Sequence, residues 1–483
     1  MGSLKDKSIK GVLWSAADKL GVKLITFVVG IIIARILTPA DYGVIGMLMI
    51  FMTLSSILID SGFSQAIVQK RNVDQKDLST AFYFNIIVSA GCYWVLFFAA
   101  PAISRFYDMP LLTSVLRVLG INLVIISFAT VQRATLIKHI DFKKIAVVNT
   151  SGAVASGFVG ILMAYGGYGV WALVFQQISS QLVATVVYWM IGGWVPSFCF
   201  SVDSFRHLWR FGSKLLCAGM VASVFNELYS LFIGKYYKAS ELGYYRRAVD
   251  TTNLISGTAG EIINAVTFPI LSFLQDDRTK MVEVYGRMLG MTAFFIFPIM
   301  TILAVVSKPF ILVLLTDKWL LAVPLMQWLC IARMFTPVSA LNMNILNATG
   351  RSDLFLKVDI SKMPIMVAAM LITIPIGVKA VVIGELITTV ICYFINAYLP
   401  GRLFNFGVKA QFRIFRRIIA STLVMVVVSS FVMRLISNDI LQLAGGLVTG
   451  IIVYLVMCRM TGVRELTDII VILKSRLHIN GNK

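Results

Sequence analysis

Ile33-Ala34-Arg35-Ile36-Leu37-Thr38-Pro39-Ala40-Asp41-Tyr42-Gly43 closes one long apolar stretch and opens the next. About 200 positions later, Tyr237-Lys238-Ala239-Ser240-Glu241-Leu242-Gly243 does the same. In both, an acid precedes a glycine by two residues, and Ile233-Gly234-Lys235 stands at the offset of Ile33-Ala34-Arg35. The first copy reads as a tight turn into a helix. Thr38 supplies a capping hydroxyl, Pro39 suits the first helical position, and Asp41 suits the third, near the positive end of the helix dipole. In the second copy Lys238 replaces the threonine, and only Glu241 and Gly243 keep the pattern. Gly43 and Gly243 are expected to let helices approach closely just inside each hairpin. A second echo pairs Gly167-Tyr168-Gly169-Val170-Trp171-Ala172-Leu173 with Gly377-Val378-Lys379-Ala380-Val381-Val382-Ile383, about 210 residues apart. Two echoes at nearly one offset point to a duplicated membrane unit, a common transporter plan.

Of 483 residues, 58% are hydrophobic and 14% charged, against about a quarter charged in ordinary soluble proteins. At about 20 apolar residues per crossing, this is enough for roughly fourteen spans. The apolar runs are continuous rather than alternating, so helices are indicated and not a barrel. The net charge of +20 is scattered over short loops, which favours membrane topology over nucleic acid as its explanation. Six cysteines without C-x-x-C spacing read as apolar fillers, and three distant histidines imply no metal centre. The N-terminal apolar run is too long for a cleavable signal peptide, and Asp6 stands where a myristoylation motif needs Ser or Thr.

The spans are expected near 13–36, 43–67, 79–104, 111–132, 145–165 and 168–191, then 212–234, 244–271, 284–306, 321–347, 354–375 and 380–399, and finally 415–436 and 441–458. The implied domains are a six-helix lobe at 1–191, a cytoplasmic connector at 192–211 and a second lobe at 212–400. A basic connector at 401–414, two extra helices at 415–460 and a cytoplasmic tail at 461–483 complete the chain. Basic residues concentrate on alternate loops, for example Lys70, Arg71 and Lys76, or Arg402, Lys409, Arg413, Arg416 and Arg417. The positive-inside rule then puts both termini in the cytoplasm. An even number of spans per set makes the lobes parallel, related by an axis along the membrane normal. The fold class is thus an all-α polytopic membrane protein of about 14 helices.

Several charges fall inside these spans. Leu24–Leu37 is too short to cross hydrocarbon, so the first helix begins earlier and carries Asp18, Lys19 and Lys23. Lys19 and Lys23 are four apart and share a face. A lysine near mid-membrane costs about 2.5–3.5 kcal/mol on insertion scales. Either that face lines a wet cavity or meets an anion, or both lysines snorkel to the cytoplasmic headgroups. Arg333 lies well inside the tenth span, followed by Pro337 and the polar stripe Asn342, Asn344 and Asn347. Arg117 lies near the end of the fourth span, where it either reaches the outer interface or contributes to anion binding. Among the acids, Glu227, Glu261 and Glu385 are candidates for coupling an H⁺ or Na⁺ gradient, or for ion pairs with Arg333 or Lys23. Glu261 shares a helical face with Asn264. Gln176, Gln177 and Gln181 give the sixth span a polar face suited to interhelical hydrogen bonds or to a ligand.

No phosphate loop, Ser/His/Asp or Cys/His constellation is present, and the outer loops are too short for a catalytic domain, so an enzyme is not expected.

The first hairpin, Ala34–Gly43 followed by Asp60-Ser61-Gly62-Phe63-Ser64-Gln65-Ala66-Ile67, resembles that of bacterial polysaccharide flippases. Gly167–Val174 and Glu241–Ala248 resemble their later hairpins. The chain is identified on these residues as a member of the polysaccharide transport family in the multidrug/oligosaccharidyl-lipid/polysaccharide exporter superfamily, nearest the WzxC-like branch. The resemblance implies a MATE-like fold of two six-helix lobes around a central cavity, with two extra C-terminal helices. It implies translocation of undecaprenyl-diphosphate-linked oligosaccharide across the bacterial inner membrane by alternating access, for exopolysaccharide, O-antigen or capsule synthesis. It also implies cavity-facing cations that meet the diphosphate and sugars, which Lys19, Lys23 and Arg333 fit by position. No cofactor or nucleic acid is expected. The expected partners are the lipid-linked oligosaccharide, membrane lipids and polysaccharide assembly proteins, with the chain itself a monomer. The rivals are a cation-coupled drug antiporter of the same fold, centred on an acid such as Glu261, and a membrane polysaccharide polymerase.

Overall fold

Thr38 caps the helix that Pro39 begins. The backbone N–H of Thr38 donates to Asp41 Oδ2 at 2.9 Å, and the Thr38 hydroxyl donates to the same oxygen at 2.6 Å. The N–H of Asp41 returns to Thr38 Oγ1 at 3.4 Å, closing a capping box. The computed structural model in which this is seen describes residues 21–471, the side chain of Ser352 excepted.

The described residues form helices without strands. In the first half these are α1 (21–36), α2 (Pro39–Asp60), α3 (Phe63–Gln69), α4 (Gln75–Phe106), α5 (Leu111–Leu119), α6 (Ile121–Lys138), α7 (Phe142–Tyr165), α8 (Val170–Gly192) and α9 (Val202–Tyr236). In the second half they are α10 (Ala239–Phe273), α11 (Arg278–Val305), α12 (Ser307–Leu314), α13 (Ala322–Arg333), α14 (Phe335–Ala348), α15 (Ser352–Thr373), α16 (Val378–Phe404), α17 (Val408–Arg434) and α18 (Asp439–Met460).

Among the described residues, 12 helical segments are long and apolar enough to cross a membrane. They correspond to twelve of the expected fourteen. The expected first span is described only from residue 21. The expected eleventh is α15, in which any stretch of 18 residues includes Lys357, Asp359 and Lys362, so it falls short on charge. The chain is therefore a multi-pass helical membrane protein, with the full count of fourteen resting on those two helices.

The chain divides into two compact units, Met1–Gly243 and Tyr244–Lys483. In the first, α9 packs on α2, α3 and α4. The polar connector expected at 192–211 is helical from Val202, where Ser201 caps the turn by accepting from the Ser204 N–H at 3.2 Å. The reason lies in the side chains. Leu208 is fully buried, and Phe205 and Trp209 pack on Phe63 and Phe84. The preceding loop is tied to α4 and α6, with Trp194 Nε1 donating to Gln75 Oε1 at 2.7 Å and Gln132 Nε2 donating to the Trp194 carbonyl at 2.7 Å.

The two copies of the hairpin segment meet inside this unit. A Cβ placed on Gly43 would lie 1.7 Å from the Ala239 carbonyl oxygen, and one on Gly243 would lie 1.8 Å from that of Pro39. Ala239 is the counterpart of Pro39, so the contact is reciprocal. Backbone atoms cannot move aside as a flexible side chain can, so both positions exclude any residue larger than glycine. At the start of the second copy, burial and then the Glu241 carboxylate push the Tyr237 phenol above its usual pKa.

The second unit is centred on α11, whose Tyr285, Leu289, Ala293, Phe294 and Phe297 join a core with Phe415, Ile418 and Met425 of α17 and Tyr454 of α18. Fully burying each such side chain stabilises the fold by about 1.5–3 kcal/mol.

Candidate functional site

Arg333 ends α13 in the middle of the Ala322–Ala348 span, where hydrocarbon leaves a charge few options. Its Nη2 donates to Glu385 Oε1 of α16 at 2.8 Å. The other Glu385 oxygen accepts from the Tyr245 hydroxyl of α10 at 3.2 Å. Glu385 is buried, whereas the Arg333 side chain keeps 24% of its surface exposed. Its Nε finds no hydrogen-bond partner among the described residues. The structure thus pairs Arg333 with Glu385, the ion-pair alternative that the sequence leaves open for this acid. The guanidinium is neutralised on one edge and retains unused donor capacity.

In the same unit the polar stripe of α14 divides by role. Asn342 is fully buried in a closed network with Tyr285, Tyr393 and Gln411. Gln411 Nε2 donates to Asn342 Oδ1 at 2.9 Å, the Tyr393 hydroxyl donates to Gln411 Oε1 at 2.9 Å, and the Tyr285 hydroxyl donates to Asn342 Oδ1. Four helices are thereby fastened together with their buried polar groups satisfied. Asn344 instead donates from Nδ2 to Asn264 Oδ1 of α10 at 2.8 Å on an exposed surface, and Glu261 is exposed one turn earlier on the same helix.

The candidates Lys23, Glu227 and Arg117 lie in the first unit. Lys23 is half-buried on α1, and Lys19 lies outside the described residues. Glu227 is half-buried on α9. Arg117 is held by α4, with Nε donating to the Phe97 carbonyl at 3.3 Å and the guanidinium 4.2 Å from the Phe97 ring centroid. This cation–π contact gives Arg117 a packing role of its own.

Sequence reasoning passed over the cavity in this unit. Ser61 and Gly62, with φ of 46° and 71°, break the second span between α2 and α3. Gly62 sits against Gly212 of α9, whose carbonyl oxygen would be 2.7 Å from an added Cβ. Beside the break opens a cavity of about 630 Å³. Asp60, Gln65, Asn122 and Gln177, with Thr53 and Ser56, are its polar lining, and Met49, Met52, Ile57, Leu215 and Leu216 much of its apolar lining. The signal was the Asp60–Gln65 motif itself, read only as family resemblance. Among the described residues no cluster of His, Cys, Asp or Glu is suited to hold a metal ion.

Comparison with known proteins agrees with this architecture. The profile of the family described as "Polysaccharide biosynthesis protein" matches residues 32–324. The lipopolysaccharide biosynthesis protein WzxC of Escherichia coli (strain K12) is 24% identical over 404 residues, 81% of each chain. Among solved structures, the lipid II flippase MurJ in an inward closed conformation has a TM-score of 0.78 at 14% identity, covering 93% of this chain and 98% of that one. An inward-facing MATE family multidrug resistance transporter of the MOP superfamily has a TM-score of 0.61 at 15% identity, covering 82% and 96%. At such identities the structures speak for the fold, while the profile speaks for descent. With the profile matched over more than half its length, the chain belongs to the polysaccharide biosynthesis protein family.

Proposed function

We propose that this protein is a flippase that carries a polyprenyl-diphosphate-linked oligosaccharide across the membrane during polysaccharide synthesis. The observation that carries the reading is membership of a polysaccharide biosynthesis family by a chain made almost wholly of membrane-crossing helices. A protein with so little outside the bilayer contributes to polysaccharide synthesis by moving an intermediate through it. The charged sugar head of such an intermediate cannot cross hydrocarbon unaided, while its polyprenyl tail never leaves it. The names of the relatives agree: one is a lipopolysaccharide biosynthesis protein, and the structural neighbour MurJ is a lipid II flippase.

In this reading Arg333 offers its free edge to the diphosphate, and Lys23, with Lys19, offers a second cationic point. Glu385 holds Arg333 in place, and Glu261 or Glu227 couples transport to an H⁺ or Na⁺ gradient. Both termini lie in the cytoplasm, following the distribution of basic loops. The protein acts as a transporter and not as an enzyme. Reconstitution tests it: proteoliposomes containing the chain should expose a fluorescent undecaprenyl-diphosphate oligosaccharide to an outside glycosidase faster than empty vesicles do.

The MATE fold likeness supports a second reading, a cation-coupled drug antiporter. It predicts gradient-driven uptake of cationic dyes into the same vesicles and no movement of the glycolipid.

A further inference from the structure

The cavity beside the α2–α3 break has a chemistry that a diphosphate does not explain. Among the described residues its only ionisable lining group is Asp60, whose negative charge disfavours a phosphate. Asp60 Oδ1 accepts from the Ser64 hydroxyl, and among the described residues no hydrogen bond reaches its other oxygen. Asn122 Oδ1 is buried without a hydrogen-bond partner among the described residues. The amides of Gln65 and Gln177 likewise make no hydrogen bond within the described residues. One carboxylate and three amides therefore face one cavity with unused donors and acceptors of both kinds. Methionine, isoleucine and leucine side chains also line it. A volume of about 630 Å³ falls within the usual range for small-molecule pockets, about 300–1,000 Å³.

We propose that this cavity is a sugar subsite, in which Asp60, Asn122, Gln65 and Gln177 bind the hydroxyls of an uncharged sugar of the transported glycan. A sugar hydroxyl both donates and accepts, which matches a wall of amides plus one acceptor-only carboxylate. The C–H face of a pyranose matches the apolar side. A bare cation would use the carboxylate and leave the amide N–H groups idle, and a cationic drug would call for aromatic faces, of which the described lining has none. The strained break at Ser61–Gly62 fits this role. It turns Asp60 and Gln65, five residues apart, onto one cavity. Broken helices in transporters serve substrate sites in the same manner.

The proposal rests on the flippase reading for its ligand, but its test does not depend on translocation. Full-length protein in nanodiscs would be examined by saturation-transfer NMR with free glucose, galactose, N-acetylglucosamine and N-acetylgalactosamine, without lipid or gradient. At least one sugar should receive saturation from the wild type. That signal should fall at least tenfold in Asp60→Asn and in Gln177→Ala, with thermal midpoints unchanged, and sodium chloride should not displace it. Gln177→Ala serves if Asp60→Asn fails to fold. Absence of transfer to all four sugars, equal transfer in the variants, or displacement by sodium would overturn the subsite. Loss of glycolipid translocation with sugar binding intact would instead count against the flippase reading alone.

Discussion

Gly43 and Ala239 lie in backbone contact: a Cβ on the glycine would sit 1.7 Å from the alanine carbonyl oxygen. The same contact recurs with the copies exchanged, Gly243 against Pro39. A repeated sequence motif has become a self-complementary crossing. Its glycines are required by distance and not by backbone angle, since neither has a positive φ.

Gly43→Ala and Gly243→Ala should each destabilise the protein by at least the 1–3 kcal/mol or so typical of overpacking, because main-chain atoms must move. Gly91→Ala serves as the control. No described residue lies within 4 Å of a Cβ there, and alanine improves helix propensity by about 1 kcal/mol. Thermal unfolding in detergent checks this: the two crossing variants should melt well below wild type, and Gly91→Ala at or above it.

Arg333 and Glu385 yield a sharper test than either residue alone. Arg333→Ala leaves a buried carboxylate uncompensated, at about 3–5 kcal/mol, so lost export by this variant would confound folding with function. Arg333→Met combined with Glu385→Met removes both charges at similar volume and should recover most of that stability. Translocation by the double variant should nevertheless fall at least tenfold. Wild-type transport by a stable double variant would reduce the pair to packing.

Gln411 ties Asn342, Tyr285 and Tyr393 into one buried network. Gln411→Leu should cost about 1–3 kcal/mol for each partner left unsatisfied. Gln411→Glu should do at least as badly, because it adds a charge to a site with no exposure. Both effects should appear as lower thermal midpoints with little change in the substrate affinity of the protein that remains folded.

Glu261→Gln addresses coupling. With Glu261 as the coupling acid, the variant should translocate without responding to an imposed H⁺ or Na⁺ gradient that accelerates the wild type. Transport assays at matched vesicle protein content would show it, and an unchanged gradient response would remove Glu261 from the coupling scheme.

Span positions and the capped first hairpin were legible because they depend on local rules. Apolar length sets a crossing, and Thr38, Pro39 and Asp41 carry their capping chemistry within four residues. The start of α9 was not legible, since Val202–Arg210 looks polar until Phe63 and Phe84 are brought beneath Phe205 and Trp209. Arg333 and Glu385 were each conspicuous as charges in apolar spans, but their pairing across 52 positions is a tertiary fact. Tyr245, which completes that cluster, left no signal at all. The cavity was hidden differently. Asp60, Gln65, Asn122 and Gln177 sit on three separate spans, and only the left-handed turn at Ser61–Gly62 shows why the first two share a wall.

The most direct measurement of the central claim is translocation of a fluorescent undecaprenyl-diphosphate oligosaccharide in proteoliposomes containing the purified chain, read by its accessibility to an outside glycosidase. Glycolipid movement well above that of empty vesicles, abolished in Lys23→Ala and in the Arg333→Met, Glu385→Met double variant, is the predicted result. Movement no faster than in empty vesicles, with gradient-driven uptake of cationic dyes by the same preparation, would contradict it.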